Sequence, residues 1–304
     1  MQIGLMFEGQ DGLNWEHWKN VLEVADTTGY QSVWRSDHFT NAQGEVKDAL
    51  ELWTSLTYAA ANTKNIEFGP LVTPITFRHP ALLAQYAASV DVLSEGRLIL
   101  GMGTGWQDRE HEAFGIHFPA LSERYERLED GLEIVTRLLR TEGAVSYEGK
   151  HYSLTDAHIT MKRTDTRILI GGNGPNKTLP LAAKYADEWN AVYLGYDDWQ
   201  ERNDLLNGYL EEQGRDASAV KRSLMIRCIY GDDAAVAKAL ENSSRSKEDL
   251  QASGYVIGTG AEMVDIIGKW SDLGLERIML QWIGYDDIDG IANMANDVLP
   301  HFAN

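Results

Sequence analysis

Residues 168–190, ILIGGNGPNKTLPLAAKYADEWN, form one strand–helix–strand pattern. A short apolar run leads into a glycine-rich turn, a helical pattern covers residues 179–186, and a second β-prone run begins at Glu188. Strands that alternate with helices in this way are typical of parallel sheets, because a crossover helix must return the chain to the edge where the first strand began. We therefore predict an α/β protein.

The same alternation extends along the whole chain. Helical patterns separate eight β-prone runs, and apolar residues recur at helical spacing over residues 80–94 and 122–140. The predicted strands cover residues 3–8, 32–37, 66–73, 97–103, 167–171, 188–193, 223–229 and 277–283. Eight parallel strands with covering helices in 304 residues predict a (β/α)8 TIM barrel that forms a single domain over residues 1–304.

Two segments interrupt this alternation. Residues 141–166, between strands four and five, place a Glu148-Gly149 turn between β-prone residues and predict an inserted hairpin or excursion. A second insertion, around residues 241–259, precedes strand eight. Long non-helical insertions often cover the mouth of a pocket, although surface loops without a role are equally compatible with the pattern.

Composition narrows the class of partner. With 27 Lys and Arg against 46 Asp and Glu, the formal net charge is −19, which repels nucleic acids and anionic membranes and leaves a small molecule as the expected partner. Cys228 is the only cysteine, so neither a disulfide nor a CxxC pair can form within the chain, as expected of a cytoplasmic protein. The first predicted strand begins at Ile3 and no apolar run reaches eighteen residues, so we expect neither secretion nor membrane insertion.

The carboxyl ends of barrel strands are where an active site is expected. Strand two ends in WRSDHF, which places Asp37 and His38 at that rim. An imidazole can relay a proton near neutral pH, and a neighbouring carboxylate such as Asp37 can orient it or act as its electrostatic partner. A helix-capping aspartate beside an exposed histidine is the alternative, but the position at a strand end favours an acid/base pair with His38 as the catalytic group.

Prolines and glycines mark the ends of strands three and four. Pro70 and Pro74 interrupt an apolar strand and predict a bend that brings backbone toward a ligand. Gly101, Gly103 and Gly105 remove side chains from one face of strand four. They leave room either for a flat ligand or for tight packing against a neighbouring element.

The glycine-rich turn after strand five predicts a phosphate site. Gly171, Gly172 and Gly174 allow close approach of an anion, and Thr178 stands at the predicted N-cap of the helix that follows. A helix N-terminus offers unpaired N–H groups and partial positive charge. A Walker A loop is excluded because Asn176 occupies a position where that motif requires glycine.

Several other kinds of site are disfavoured. Strand one ends in MFEGQ without the HxH pair of a barrel metallohydrolase, the histidines show no metal-ligand spacing, and there is no GxSxG elbow. We therefore expect no metal. What remains, a phosphate site beside an acid/base pair, suits a phosphorylated planar cofactor.

In order along the chain, these motifs resemble the luciferase-like monooxygenase superfamily, and within it the branch of coenzyme F420-dependent oxidoreductases. The resemblance rests on GLMFEGQDGLNWEHW, WRSDHF, LVTPITFRHPALLAQ, DVLSEGRLILGMGTGWQDREHEAFGIHFP, the quoted stretch at 168–190 and GLERIMLQWIGYDDID. It covers nearly the whole chain and implies a luciferase-like barrel that carries a hydride between F420 and an organic substrate, with a homodimer as the common assembly.

The resemblance also implies roles for individual residues. A non-prolyl cis peptide between Pro70 and Leu71 would support the ring, with Asp37 and His38 beside its reacting edge. The implied cofactor contacts are Pro70, Leu71, Thr73, Gly103, Thr104, Gly105, Gly171, Gly172, Asn173, Gly174 and Thr178.

Two positions depart from the sugar-phosphate dehydrogenases of this branch. Trp106 stands where they carry a carboxylate, and Ala42 where they carry tryptophan. We therefore expect a broader apolar site, bounded by Trp106, Phe39 and residues 141–166, for a hydrophobic substrate. An FMNH2-dependent monooxygenase and a non-catalytic flavin-binding protein are the alternatives, and a metal-dependent lyase or phosphosugar isomerase is a more distant one.

Overall fold

A computed structural model describes residues 1–302 of the chain. The strands are β1 (Gln2–Phe7), β2 (Ser32–Arg35), β3 (Glu67–Pro70), β4 (Thr73–Pro74), β5 (Ile99–Gly103), β6 (Val145–Glu148), β7 (Ser153–Ala157), β8 (Arg167–Gly171), β9 (Glu188–Val192), β10 (Lys221–Tyr230), β11 (Val256–Gly258) and β12 (Arg277–Gln281). The α-helices are α1 (Trp15–Thr28), α2 (Leu52–Asn62), α3 (Pro80–Leu93), α4 (Asp108–Ala113), α5 (Leu121–Arg140), α6 (Thr178–Tyr185), α7 (Tyr196–Glu212), α8 (Asp233–Ala239), α9 (Lys247–Ala252), α10 (Gly260–Asp272) and α11 (Ile288–Val298).

The parallel strands form a barrel. They pair in the order β3-β2-β1-β12-β10-β9-β8-β5-β4, so the last barrel strand lies beside the first. An isolated bridge between Phe68 and Leu98 brings β3 alongside the start of β5 and completes the circle. Short β3 and β4 together occupy the position of the predicted third strand. The predicted (β/α)8 TIM barrel is confirmed.

The cis peptide at the end of the third strand lies one residue later than predicted. The cis peptide joins Leu71 to Val72, so the position inferred for it, between Pro70 and Leu71, is wrong. The Leu71 N–H donates to the Arg35 carbonyl at 2.8 Å, which continues the pairing with β2 beyond Pro70. The chain therefore leaves the sheet only after Leu71.

The two insertions differ in structure. Residues 141–166 contain the predicted hairpin, an antiparallel pair of β6 and β7. It packs on α5, where Asp130 accepts hydrogen bonds from the Tyr147 hydroxyl at 2.8 Å and the His151 N–H at 2.7 Å. The second insertion, 241–259, is not the non-helical segment expected, because it contains α9 and then β11, which pairs with β10.

Apolar side chains fill both faces of the barrel wall. The larger core lies between the sheet and the surrounding helices. A smaller core fills the barrel interior and consists of Met6, Trp34, Leu71, Ile99, Leu169, Met225 and Met279. Because side chains alternate across each strand, the same strands supply both cores. No helix within residues 1–302 has the length and apolar character needed to cross a membrane.

Candidate active site

A cavity of about 600 Å³ opens at the carboxyl ends of the barrel strands. Met6, Leu71 and Met225 belong both to the interior core and to the lining of this cavity, so the core forms its floor. His38 and Trp106 also line it. The volume lies within the range of about 300–1,000 Å³ that small-molecule sites occupy.

Glycines allow the bent third strand to enter the barrel. A Cβ on Gly103 would lie 2.6 Å from Val72 Cγ2, and one on Gly171 would lie 2.9 Å from Val72 Cγ1. A Cβ on Gly101 would lie 2.1 Å from the Pro70 carbonyl oxygen. Of the two interpretations of the alternating glycines, tight packing therefore accounts for Gly101 and Gly103. Val72 fills the space they leave and itself becomes part of the cavity wall.

His38 is paired with a carboxylate that is distant in sequence. Its Nδ1 lies 2.7 Å from Glu110 Oε1, and the other Glu110 oxygen accepts the Phe39 N–H at 2.8 Å. Glu110 lies on α4 and is 1% exposed. Because an ionised carboxylate only accepts hydrogen bonds, Nδ1 carries the proton and Nε2 is the ring nitrogen left for the cavity.

The same pair shifts the acidity of His38. Burial lowers the pKa of His38, but the hydrogen bond and negative charge of Glu110, together with the charges of Glu8 and Asp37, outweigh burial, so the net pKa is raised. Gln107 lies beside the ring and donates to the Thr40 carbonyl at 2.9 Å. Trp106 packs edge-on against the imidazole with ring centroids 5.5 Å apart. A histidine in this setting can hold or release a proton at the cavity surface.

Glu110 was missed from the sequence. It lies in the stretch GWQDREHEA, where five charged or histidine side chains follow the strand-four glycines without a spacing that distinguishes one of them. Its position in the sequence is the signal that could have identified it, because a helix that begins directly after a barrel strand lies at the carboxyl rim.

Asp37 is not the hydrogen-bond partner of His38. Its carboxylate accepts the Thr73 hydroxyl at 2.6 Å and pairs with the Arg78 guanidinium, which also bonds Glu51 at 2.9 Å. Asp37 is 2% exposed and, like Thr73, is not among the residues that line the cavity. Asp37 therefore does not orient the His38 ring, because its carboxylate bonds Thr73 and Arg78 instead. Its negative charge nevertheless contributes to the raised pKa of His38, as expected of an electrostatic partner.

The turn after β8 has both bonded and unbonded amides. The Gly172 N–H donates to the Asn190 carbonyl at 2.9 Å, and the Thr178 N–H donates to the Gly174 carbonyl at 3.0 Å. Within residues 1–302, the N–H groups of Asn173, Gly174, Asn176 and Lys177 have no acceptor. The turn therefore keeps four backbone donors for a ligand.

Thr178 is the first residue of α6 and not its N-cap, which is Lys177. Its hydroxyl lies 2.9 Å from the Tyr125 hydroxyl. A Cβ on Gly174 would lie 2.8 Å from Thr178 Oγ1, so glycine is the residue that fits there. The Asn173 side chain bonds both the N–H and the carbonyl of Val192, which holds the turn against β9.

The cavity brings together only some of the predicted residues. Those that line it are His38, Leu71, Gly103, Thr104, Gly105, Gly171 and Gly172. Those that lie outside its lining are Asp37, Pro70, Thr73, Asn173, Gly174 and Thr178. Of the three predicted parts of the boundary, Trp106 lines the cavity, whereas Phe39 and residues 141–166 do not. Phe39 instead stacks on Phe77, with ring centroids 4.5 Å apart.

A chain of hydrogen bonds crosses another part of the cavity wall. Tyr193 donates to Gln281 at 2.6 Å, and Gln281 donates to Glu8 at 2.7 Å. Gln10 donates to the second Glu8 oxygen at 3.0 Å. Nearby Asp11 also lines the cavity, and burial together with the Glu8 charge raises the pKa of Asp11. Carboxylates therefore dominate this wall.

The protein is a (β/α)8 barrel with a ligand site at the carboxyl rim and a buried carboxylate–histidine pair in that site. Within residues 1–302, no group of His, Cys, Asp or Glu is arranged to hold a metal. The model of the luciferase-like monooxygenase family matches residues 4–275. The chain belongs to this family, and the resemblance seen in its motifs is confirmed.

Two curated relatives and one solved structure illustrate the relationship. An F420-dependent glucose-6-phosphate dehydrogenase from Kineococcus radiotolerans is 30% identical over 88% of this chain and 79% of its own. An F420-dependent hydroxymycolic acid dehydrogenase from Mycobacterium tuberculosis is 32% identical over 72% of this chain and 60% of its own. The structure of an F420-dependent secondary alcohol dehydrogenase with an F420–acetone adduct superposes with a TM-score of 0.88 at 19% identity, covering 100% of this chain and 99% of the other. That likeness concerns the fold.

Proposed function

We propose that this protein is a coenzyme F420-dependent oxidoreductase that acts on a small, uncharged organic substrate. The observation that carries the proposal is the His38–Glu110 pair at the wall of a cavity of about 600 Å³. F420 dependence is the common feature of the two relatives described above.

The residues present fit such a cofactor. Leu71 and Val72 offer an apolar surface at the cavity floor for a flat ring. The four unbonded amides of the turn after β8 offer donors for a phosphate. When bound, F420 supplies or receives the hydride. The same surfaces suit FMN, and the stability measurement below distinguishes the two cofactors.

His38 moves the proton that accompanies the hydride. In alcohol oxidation, neutral Nε2 accepts the hydroxyl proton, and in carbonyl reduction the protonated ring returns it to the oxygen. Glu110 accepts a hydrogen bond from Nδ1 and so fixes the tautomer of the ring. It also stabilises the imidazolium, which is why it raises the pKa of His38. Asp37 takes no part in this transfer.

The charge of the cavity supports an uncharged substrate. Among the described residues that line it none is lysine or arginine, whereas Glu8, Asp11 and Glu110 contribute carboxylates. A phosphate ester would meet like charge there without a compensating guanidinium. We expect turnover with apolar alcohols or ketones, and none with their phosphorylated counterparts of similar size.

Cofactor-dependent thermal stability tests the proposal. A ligand at about a hundred times its dissociation constant adds about 2.7 kcal/mol of stability, which raises the melting temperature visibly. We expect F420 to raise it and FMN to have no comparable effect. A shift with FMN alone would instead favour the monooxygenase.

Replacement of His38 by alanine separates an enzyme from a protein that only binds a flavin-type ring. Turnover should fall by about 10²–10⁴, while F420 affinity changes little. Turnover that is indifferent to His38→Ala would remove this residue from the mechanism.

We also propose a cytoplasmic homodimer. The buried single cysteine suits a reducing compartment. On α3, Leu82, Tyr86 and Leu93 recur along one face and are 53%, 41% and 48% exposed. Such a face favours pairing with a second copy. Light scattering should give twice the monomer mass, and Leu82→Asp should give the monomer, whereas Met161→Asp on another surface should not.

A further inference from the structure

Asn190 is a polar residue in an otherwise apolar part of the barrel. It lies on β9, is 0% exposed and lines the cavity. Its neighbours on β9, Trp189 and Ala191, belong to the core outside the barrel wall. Because side chains alternate along a strand, the Asn190 side chain points into the barrel interior, where it contacts Met279 of the interior core.

Neighbouring strands fix the orientation of the Asn190 amide. The Ser223 hydroxyl donates its proton to the Trp189 carbonyl at 3.1 Å. Its oxygen is therefore an acceptor for Asn190 Nδ2, which lies 3.1 Å away. Nδ2 also lies 3.3 Å from Met279 Sδ. The nitrogen of the amide therefore contacts residues of the neighbouring barrel strands and does not face the cavity.

The oxygen end has no partner. Asn190 Oδ1 is buried and accepts no hydrogen bond within the described residues. An unsatisfied buried acceptor destabilises a protein, so a group that persists in this state at a cavity wall indicates a donor supplied by a ligand. The interior core that forms the cavity floor is apolar and includes Met6 and Met225.

We infer that Asn190 Oδ1 accepts a hydrogen bond from a ring N–H of the bound cofactor. The pyrimidinedione part of a flavin or deazaflavin carries an imide N–H, which is the kind of donor that an amide oxygen accepts. This inference rests on the proposed function and assigns Asn190 a role in binding the ring, without a role in proton transfer.

Fluorescence titration of the purified protein with F420 tests the inference. Asn190→Leu removes the acceptor while keeping the number and branching of the side-chain heavy atoms, and we expect the dissociation constant to rise about tenfold. Ser223→Ala keeps the amide but removes one bond that orients it, so we expect a smaller rise. The melting temperature without cofactor should stay the same or increase for Asn190→Leu, because the substitution removes an unsatisfied polar group from an apolar surrounding.

The outcomes separate this inference from the proposed function. Wild-type protein that does not bind F420 contradicts both. Wild-type protein that binds F420 while Asn190→Leu binds it equally well overturns the role of Asn190 alone. Weaker binding together with a large loss of melting temperature in the cofactor-free variant would show a structural role for Asn190 and would also overturn the inference.

Discussion

At the scale of residues, the partner of His38 decides the chemistry of the site. The adjacent Asp37 is the obvious partner in sequence, yet the ring bonds Glu110, 72 residues away. Asp37 is occupied by Arg78 and Thr73. The Glu110 carboxylate sets the tautomer of the ring because it is bonded directly to Nδ1. The Asp37 carboxylate bonds other groups and cannot set the tautomer.

Glu110→Gln tests this pairing. The substitution removes the negative charge that raises the pKa of His38 but leaves the burial that lowers it. We therefore expect the pKa of His38 to fall, measured by NMR titration of labelled histidine. The protonated form should then disappear at lower pH than in the wild type.

A matched control exists outside the cavity. Glu126 accepts a hydrogen bond from His151 Nε2 at 2.9 Å near the hairpin. Glu126→Gln should leave the titration of His38 unchanged. An unchanged titration in Glu110→Gln would show that Glu110 does not control the ring.

At the scale of elements, the bent third strand and its glycine neighbours form one packed unit. Val72 enters the space over Gly103 on β5 and Gly171 on β8. The prolines and glycines could be recognised in the sequence as irregular strand ends. That they pack against one another could not, because the contact joins strands whose adjacency depends on barrel closure.

Gly103→Ala should destabilise the protein by about 1–3 kcal/mol, since the new methyl would lie 2.6 Å from Val72 Cγ2. Urea unfolding measures the loss. Val72→Ala makes room for that methyl, so the double variant should lose less unfolding free energy than the sum of the two single variants.

Gly268→Ala on α10 provides the control, because the new methyl meets no atom within 4 Å and should instead stabilise the protein by about 0.5–1 kcal/mol. Additive losses at positions 72 and 103 would contradict this packing.

At the scale of the whole molecule, the two ends of the barrel have different roles. The carboxyl rim holds the cavity, whereas the amino ends of the strands hold a cluster of ion pairs around the buried Arg277. Glu67 of β3 bonds both Arg167 of β8 and Arg277 of β12, and Arg277 is 0% exposed. These bonds join strands from separate parts of the barrel, so they support its closure.

Glu67→Gln should therefore destabilise the protein by about 1–3 kcal/mol, because the buried Arg277 then keeps only the more distant carboxylate of Glu188, at 3.6 Å, as a charged partner. Burial raises the pKa of Glu67, but Arg277 and Arg167 lower it more, so the net pKa lies below its ordinary value of 4.5. The stability from this ionised group is present above pH 4.5 and is lost as the pH falls through the lowered pKa. Urea unfolding of both proteins should show their difference shrinking below that pH.

A surface pair provides the comparison. Glu129 lies 3.6 Å from Lys184, and both side chains are about half exposed. Glu129→Gln should change stability by less than about 1 kcal/mol. Equal losses in Glu67→Gln and Glu129→Gln would show that the ion-pair cluster around Arg277 contributes no more than a surface pair.

Local pattern in the sequence was sufficient for the barrel and for its rim. Strand and helix periodicities and glycine turns depend on neighbouring residues, so the eight barrel strands and the hairpin at 141–166 could be predicted from them. The position of His38 at a strand end followed from the same reasoning.

Tertiary structure alone decided which side chains meet. The bond between His38 and Glu110, the unpartnered oxygen of Asn190 and the filling of the glycine wall by Val72 all depend on where closed strands bring distant residues. The physical reason is that hydrogen bonds and van der Waals contacts act over a few ångströms, while the spacing of residues along the chain fixes only which side of a strand or helix they face.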